Sequence, residues 1–212
     1  DGAASVEMDT AGAEIVVMKW LVVLTFAASA AFLYLLTRDR LGETIAAATT
    51  LLAVSNPLTV SYAHQVMSEI PYVMWSLLAV WLLGRGIERP TWRGNYWLWS
   101  GIAAMLAAYY TRSVGICLIA AVILHLFSRR DWRRGLIVGG ICFCAMLPWA
   151  VRNSMLGGSV YYKLLFMVNP YRPHLGYLNA TGMYHRITGT LGLYVEEFLP
   201  EALLPASYLS MS

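Results

Sequence analysis

This chain has little charge. Only 13% of its 212 residues are Asp, Glu, Lys or Arg, against about 25% in soluble domains. With 58% hydrophobic residues and a mean hydropathy of +0.57, that scarcity excludes an ordinary soluble globule and indicates a polytopic membrane protein. The net charge of +3 is no nucleic-acid footprint, because the basic residues fall in short loops between apolar runs. Cysteine is scarce as well. Cys117, Cys142 and Cys144 all lie inside apolar runs, where they pack as small hydrophobes rather than as a metal or redox set. The chain has no Gly-rich phosphate loop, CxxC pair, HExxH or nucleophile elbow, no internal repeat and no low-complexity segment. It opens DGAASVEMDTAGAE, acidic and without an initiator Met or a secretory signal, and so reads as an internal or trimmed piece of a longer protein.

The apolar residues come in runs at 15–36, 45–60 (weakened by Asn56-Pro57), 70–83, two halves of 95–127, and 135–151. The expectation is an all-α, polytopic transmembrane helical bundle of about six spans, with tilt or burial compensating for the short ones. Three regions follow: an extracytoplasmic stub at 1–14, a membrane region at 15–151, and an extracytoplasmic or interfacial loop region at 152–212. This last region is rich in Tyr, Pro and Gly, as a loop is, and its aromatic residues favour interface depth. Within it, 184–199 reads as an interfacial helix and Asn179-Ala180-Thr181 as a glycosylation sequon.

Arg112 is the only charge between Asn95 and Phe127. As one helix, that stretch would be about 50 Å long, far beyond a hydrocarbon core of about 30 Å. It must break, and Tyr109-Tyr110-Thr111-Arg112-Ser113 is the natural place, leaving an arginine on a tight aromatic turn at or near membrane depth. An ionisable residue held there is a site candidate. The bland alternative is an arginine that snorkels to the headgroups.

The loops alternate in charge. Arg38 and Arg40; Arg85, Arg89 and Arg93; and Arg129, Arg130, Arg133 and Arg134 mark every second loop, while 55–69 has no Lys or Arg and 109–113 has one. The positive-inside rule puts the basic loops in the cytoplasm. His64, Glu69, Arg112 and Arg152 then all emerge on the outer face. Glu69 follows Ser68 and precedes Pro71, which suits a helix start with Ser68 as N-cap and Glu69 at the positive helix end. Functionally, Glu69 is an acidic group in an outward cavity that would bind a metal, position an acceptor hydroxyl or act as a base, with His64 close enough to assist. Arg112, with Arg152, suits an anionic headgroup, since guanidinium grips phosphate bidentately. Lys163, Arg172, His174, His185 and Glu196-Glu197 have no diagnostic spacing.

Three motifs, SEIPYVMWSLLAVWLL, YYTRSVGICLIAAVILHL and LPWAVRNSMLGG, occur in an order and spacing that resemble the membrane glycosyltransferases of the GT-C superfamily, in the branch of protein-mannosyltransferases and aminoarabinose transferases. The resemblance covers roughly 15–158. It implies a many-span bundle with an outward cavity and transfer of a sugar, usually with inversion, from a polyprenyl-phosphate donor to a lipid, glycan or protein acceptor on the extracytoplasmic face. A bacterial inner membrane suits the Ala/Gly/Arg-rich usage. No nucleic acid is involved. The resemblance requires no fixed cofactor and leaves room for a divalent metal, Mg or Mn. It matches Glu69 to the family's second acidic position and Arg112 to the basic position after the tight turn, where the donor phosphate is held; beside that match, His64 is read as assisting Glu69, and Arg152 and Tyr110 as joining Arg112 in binding the substrate. The family's principal aspartate lies on a loop preceding the segment that matches 15–36. It is expected before Asp1, with Asp9 and Glu14 as remnants at most, so the chain alone is expected to be inactive. The rival readings are a secondary transporter or flippase for an anionic lipid or sugar, which would need facing charges at the midplane on interrupted spans, and a structural membrane subunit.

Overall fold

The computed structural model describes residues 2–64, 67–89, 91, 94–155, 166–168 and 176–200, with the backbone alone at 2–13, 15, 58, 61, 63, 64, 197 and 198. The described residues are helical, without strands. The helices are α1 (Gly2–Leu41), α2 (Glu43–Ser55), α3 (Pro57–His64), α4 (Glu69–Ile87), α5 (Tyr96–Thr111), α6 (Gly115–Ser128), α7 (Trp132–Met155) and α8 (Ala180–Leu193), the last continuing into a π turn at Tyr194–Phe198. A lone antiparallel bridge joins Met167 to Tyr177. Every expected apolar run falls on a helix. Val16–Leu41, Glu69–Ile87 and Trp132–Met155 are long and apolar enough to cross a membrane, and Glu43–Ser55 and Gly115–Ser128 are shorter apolar helices.

The breaks have local causes. Run 45–60 splits at Asn56, whose backbone is extended (φ −65°, ψ 124°). The proline that follows disfavours the helical region for the residue before it. Asn56 Oδ1 then accepts from the Thr59 N–H at 3.4 Å, opening α3. The third run lengthens from the expected 70–83 to Glu69–Ile87, and the charge that this adds near its end, Arg85, is met by Asp39 at the end of α1. Arg85 Nη2 and Nε donate to Asp39 Oδ2 at 2.6 and 3.1 Å, and Trp81 Nε1 donates to the same oxygen at 3.1 Å.

Two units form, 1–142 and 143–212, with α7 running across the boundary. The first is built around α4, which packs chiefly on α5 and α1. Small residues let the α4 and α5 backbones close up, as membrane helix pairs require. Ala79, Ala104, Met105 and Ala108 are fully or nearly fully buried. A Cβ on Gly86 would stand 2.7 Å from the Leu98 N, and one on Gly101 2.7 Å from Leu83 Cγ. Asn95 is buried (2% exposed) and joins the two helices at one end. Its Nδ2 donates to the Gly86 carbonyl at 2.8 Å and its Oδ1 accepts from the Leu98 N–H at 3.2 Å, capping α5. The outside carries Trp20, Leu24, Leu51, Leu52, Leu124 and Leu136, all exposed. This apolar exterior is what a lipid-facing surface requires.

In the second unit, Asn179 caps α8. Its Oδ1 accepts from the Gly182 N–H at 2.7 Å, so the residue read as a sequon is used locally as a helix start. The helical reading of 184–199 extends upstream to Ala180.

Candidate functional site

The site begins with the α5–α6 break. α5 ends at Thr111 and Arg112 turns extended (φ −146°, ψ 135°) while its N–H still bonds the Ala108 carbonyl at 3.0 Å. The Gly115 N–H bonds back to the Arg112 carbonyl at 2.9 Å. So tight a turn presses α6 onto the end of α5: a Cβ at Gly115 would stand 2.6 Å from Tyr109 Cα, so only glycine fits. The backbone thus fixes where Arg112 leaves the helix.

Glu69 opens α4 at the same level. Ser68 occupies the N-cap position but makes no side-chain cap bond, because its backbone is helical (φ −79°, ψ −4°) rather than extended. The expected serine cap is therefore not made. The Glu69 carboxylate instead takes a bond from Arg112: Nη1 donates to Oε1 at 2.6 Å, at the short end for a charge-assisted bond. The two side chains are 30% and 40% exposed, so the pair meets solvent on one side.

On its other side lies a cavity of about 570 Å³ walled by α1, α2, α3 and α4, with Glu69 and Arg112 in its lining. Ile70, Val73 and Leu77 form one face of α4 running down from the pair, opposite Phe26, Ser29 and Leu33 of α1. From Glu69 to Leu77 is about 12 Å along the helix. Thr59 and Tyr62 contribute from α3, and Ser29 satisfies its hydroxyl on the Thr25 carbonyl at 2.7 Å. The chemistry is that of an amphiphile site: one cation and one carboxylate at the polar end of a mostly apolar cleft, in the size range of about 300–1,000 Å³ typical of ligand pockets.

The structure brings Glu69 and Arg112 together. Tyr110 stands on the last turn of α5, exposed, edge-to-face with Tyr109 at 5.5 Å, and is not part of the cavity wall. His64 ends α3, and its side chain lies outside the described residues, as do Lys163, Arg172, His174 and the Glu197 side chain. Arg152 belongs to the second unit, where its guanidinium covers the Trp149 ring at 5.4 Å. His185 packs on Tyr184 in α8, and Glu196 is exposed in the π turn. Among the described residues no three His, Cys, Asp or Glu side chains gather as a metal set. Sequence reasoning missed the α1 wall. Its one sequence signal is the spacing of Phe26, Ser29 or Ala30, and Leu33, a single stripe at helical period.

Comparison with known proteins identifies the family. The family model for dolichyl-phosphate-mannose-protein mannosyltransferase matches residues 5–151, well over half of the chain and the whole of the segment that builds the cavity. No curated protein and no solved structure matches. The chain belongs to the dolichyl-phosphate-mannose-protein mannosyltransferase family, a membrane glycosyltransferase family of GT-C type.

Proposed function

We propose that this member of a membrane glycosyltransferase family takes its sugar from a polyprenyl-phosphate donor. The donor phosphate binds at Arg112, and the isoprenoid lies in the cavity that runs down α4. The observation that carries this reading is the Glu69–Arg112 bond at 2.6 Å in the lining of a largely apolar cleft. A lipid phosphate needs a cation with an apolar trough beside it, and Arg112 in the lining of this cleft fits that need.

The reaction follows from that placement. An acceptor hydroxyl attacks the anomeric carbon as the bond from that carbon to the phosphate oxygen breaks, and the configuration inverts. The lipid phosphate leaves with an added negative charge. A guanidinium held ready in a partly dry cleft stabilises that charge better than water would. The incoming phosphate competes with Glu69 for Arg112. Once displaced, the carboxylate is free to accept the proton of the acceptor hydroxyl or to orient it. His64, Arg152 and Tyr110 remain proposed helpers: His64 toward the proton, the other two toward the headgroup. The acceptor is a lipid, glycan or protein on the extracytoplasmic face, and the membrane is a bacterial inner membrane.

The test is donor consumption, followed by mass spectrometry, with the full-length protein in liposomes and a panel of polyprenyl-phosphate sugars. Glu69→Gln should lower turnover roughly 100-fold or more, the scale of a lost general base, without raising the donor KM, since Arg112 is then unopposed. No donor loss from wild type across the panel, together with vesicle uptake of an anionic lipid or sugar, would replace the enzyme by a transporter.

A further inference from the structure

A second cavity, polar where the first is mostly apolar, lies at the opposite end of α4, away from Glu69 and Arg112. It has a volume of about 330 Å³, again within the range of about 300–1,000 Å³ of ligand pockets. Three arginines from three helix ends face it: Arg40 from α1, Arg85 from α4 and Arg129 from the α6 C-cap. Two carboxylates line it too, Asp39 and Glu88, but Asp39 is already committed. One of its oxygens takes two bonds from Arg85 and one from Trp81, and its other oxygen lies 3.8 Å from Arg38. Among the described residues no carboxylate forms an ion pair with Arg40 or Arg129.

The position of Arg40 is not arbitrary. A Cβ at Gly84 would lie 3.8 Å from Arg40 Nη2, so the guanidinium is poised over the bare backbone of α4, which leaves room beside it. Arg85 is held the other way, its head 4.4 Å from the Trp81 ring centre and 5.2 Å from that of Trp97. One arginine is therefore structural, and two guanidiniums with open donors face the same polar space. The inner wall is apolar at Leu36 and Val80.

We propose that this cavity holds the phosphate of an anionic membrane-lipid headgroup, gripped by Arg40 and Arg129, with the acyl chains leaving along α1 and α4. Two planar donors match phosphate oxygens, and basic pockets between helix ends favour such headgroups. The site is separate from the donor cleft and does not depend on the transferase reading.

The experiment is native mass spectrometry of the detergent-solubilised full chain, titrated with phosphatidylglycerol or phosphatidylcholine. Wild type should retain phosphatidylglycerol in preference. The double variant Arg40→Ala/Arg129→Ala should retain it about tenfold less, the scale of a lost charged hydrogen bond. Gly84→Leu, which fills the space and keeps every charge, should also lower retention and carries the test if the double variant does not fold. Arg133→Ala, which removes an exposed arginine outside this cavity, should retain the lipid as wild type does. Undiminished retention in Gly84→Leu and in the double variant, equal retention of phosphatidylcholine, or displacement of the lipid by millimolar inorganic phosphate would each overturn the proposal.

Discussion

Glu69 and Arg112 are 43 positions apart and meet through a bond of 2.6 Å. Their partial exposure limits what that bond adds to stability, since solvent-screened pairs contribute about 0–1 kcal/mol. On the proposed function, its value lies in holding the phosphate-binding cation and the base at one place. Arg112→Ala should therefore leave thermal unfolding close to wild type while raising the donor KM roughly 10- to 100-fold, the worth of one charged hydrogen bond. Arg112→Lys should recover only part of the affinity, because the fork is lost. Steady-state kinetics on both variants checks this, and a wild-type KM in the alanine variant would remove Arg112 from the site. Each residue was legible alone, as a rare charge beside an apolar run. Their partnership was not, because a contact at that separation is set by how α4 and α5 pack. The same limit hid the unmade cap at Ser68, whose backbone angle no local rule fixes. Asn179 carried two signals at once: beside the triplet read as a sequon, the order Asn-Ala-Thr-Gly held the cap that it makes.

At the scale of elements, length and proline carried most of the reading. The stretch around Arg112 had to break because it was too long for a bilayer, and it breaks there. Asn56-Pro57 weakened a run and in the structure divides it into α2 and α3. What the sequence did not disclose is how closely the elements approach. Gly86, Gly101 and Gly115 look alike in the chain, yet each stands where a Cβ would meet a neighbour under 3.0 Å. At Gly115 the obstacle is the backbone of Tyr109, which cannot move aside as a side chain can. Gly115→Ala should thus shift the start of α6, costing about 1–3 kcal/mol as overpacking does, and should weaken donor binding with it. A thermal unfolding series with donor affinity measured on the same samples would show the two falling together. An unchanged melting temperature would mean that the turn has slack.

At the scale of the molecule, the alternation of loop charge foretold which helix ends stand together in the first unit. Asp39, Arg40, Arg85, Glu88 and Arg129 line one cavity, and Glu69 and Arg112 another. The cleft at Glu69 and Arg112 was beyond sequence reading, since four helices supply its walls and no motif marks the α1 face. The proposed sidedness rests on the positive-inside rule and is open to a direct check. In a background without Cys117, Cys142 and Cys144, a cysteine replacing the exposed Ser113 should react with an impermeant thiol reagent from outside intact cells. One replacing Glu88 should react only after permeabilisation, and the reverse pattern would invert the topology.

The most direct measurement is photo-crosslinking of the full-length protein with a polyprenyl phosphate that carries a photoreactive group in its first isoprene units. The account predicts label in peptides of α1 and α4 that line the cleft, suppressed by unlabelled polyprenyl phosphate and strongly reduced in Arg112→Ala. Label confined to other helices, or undiminished in Arg112→Ala, would contradict it.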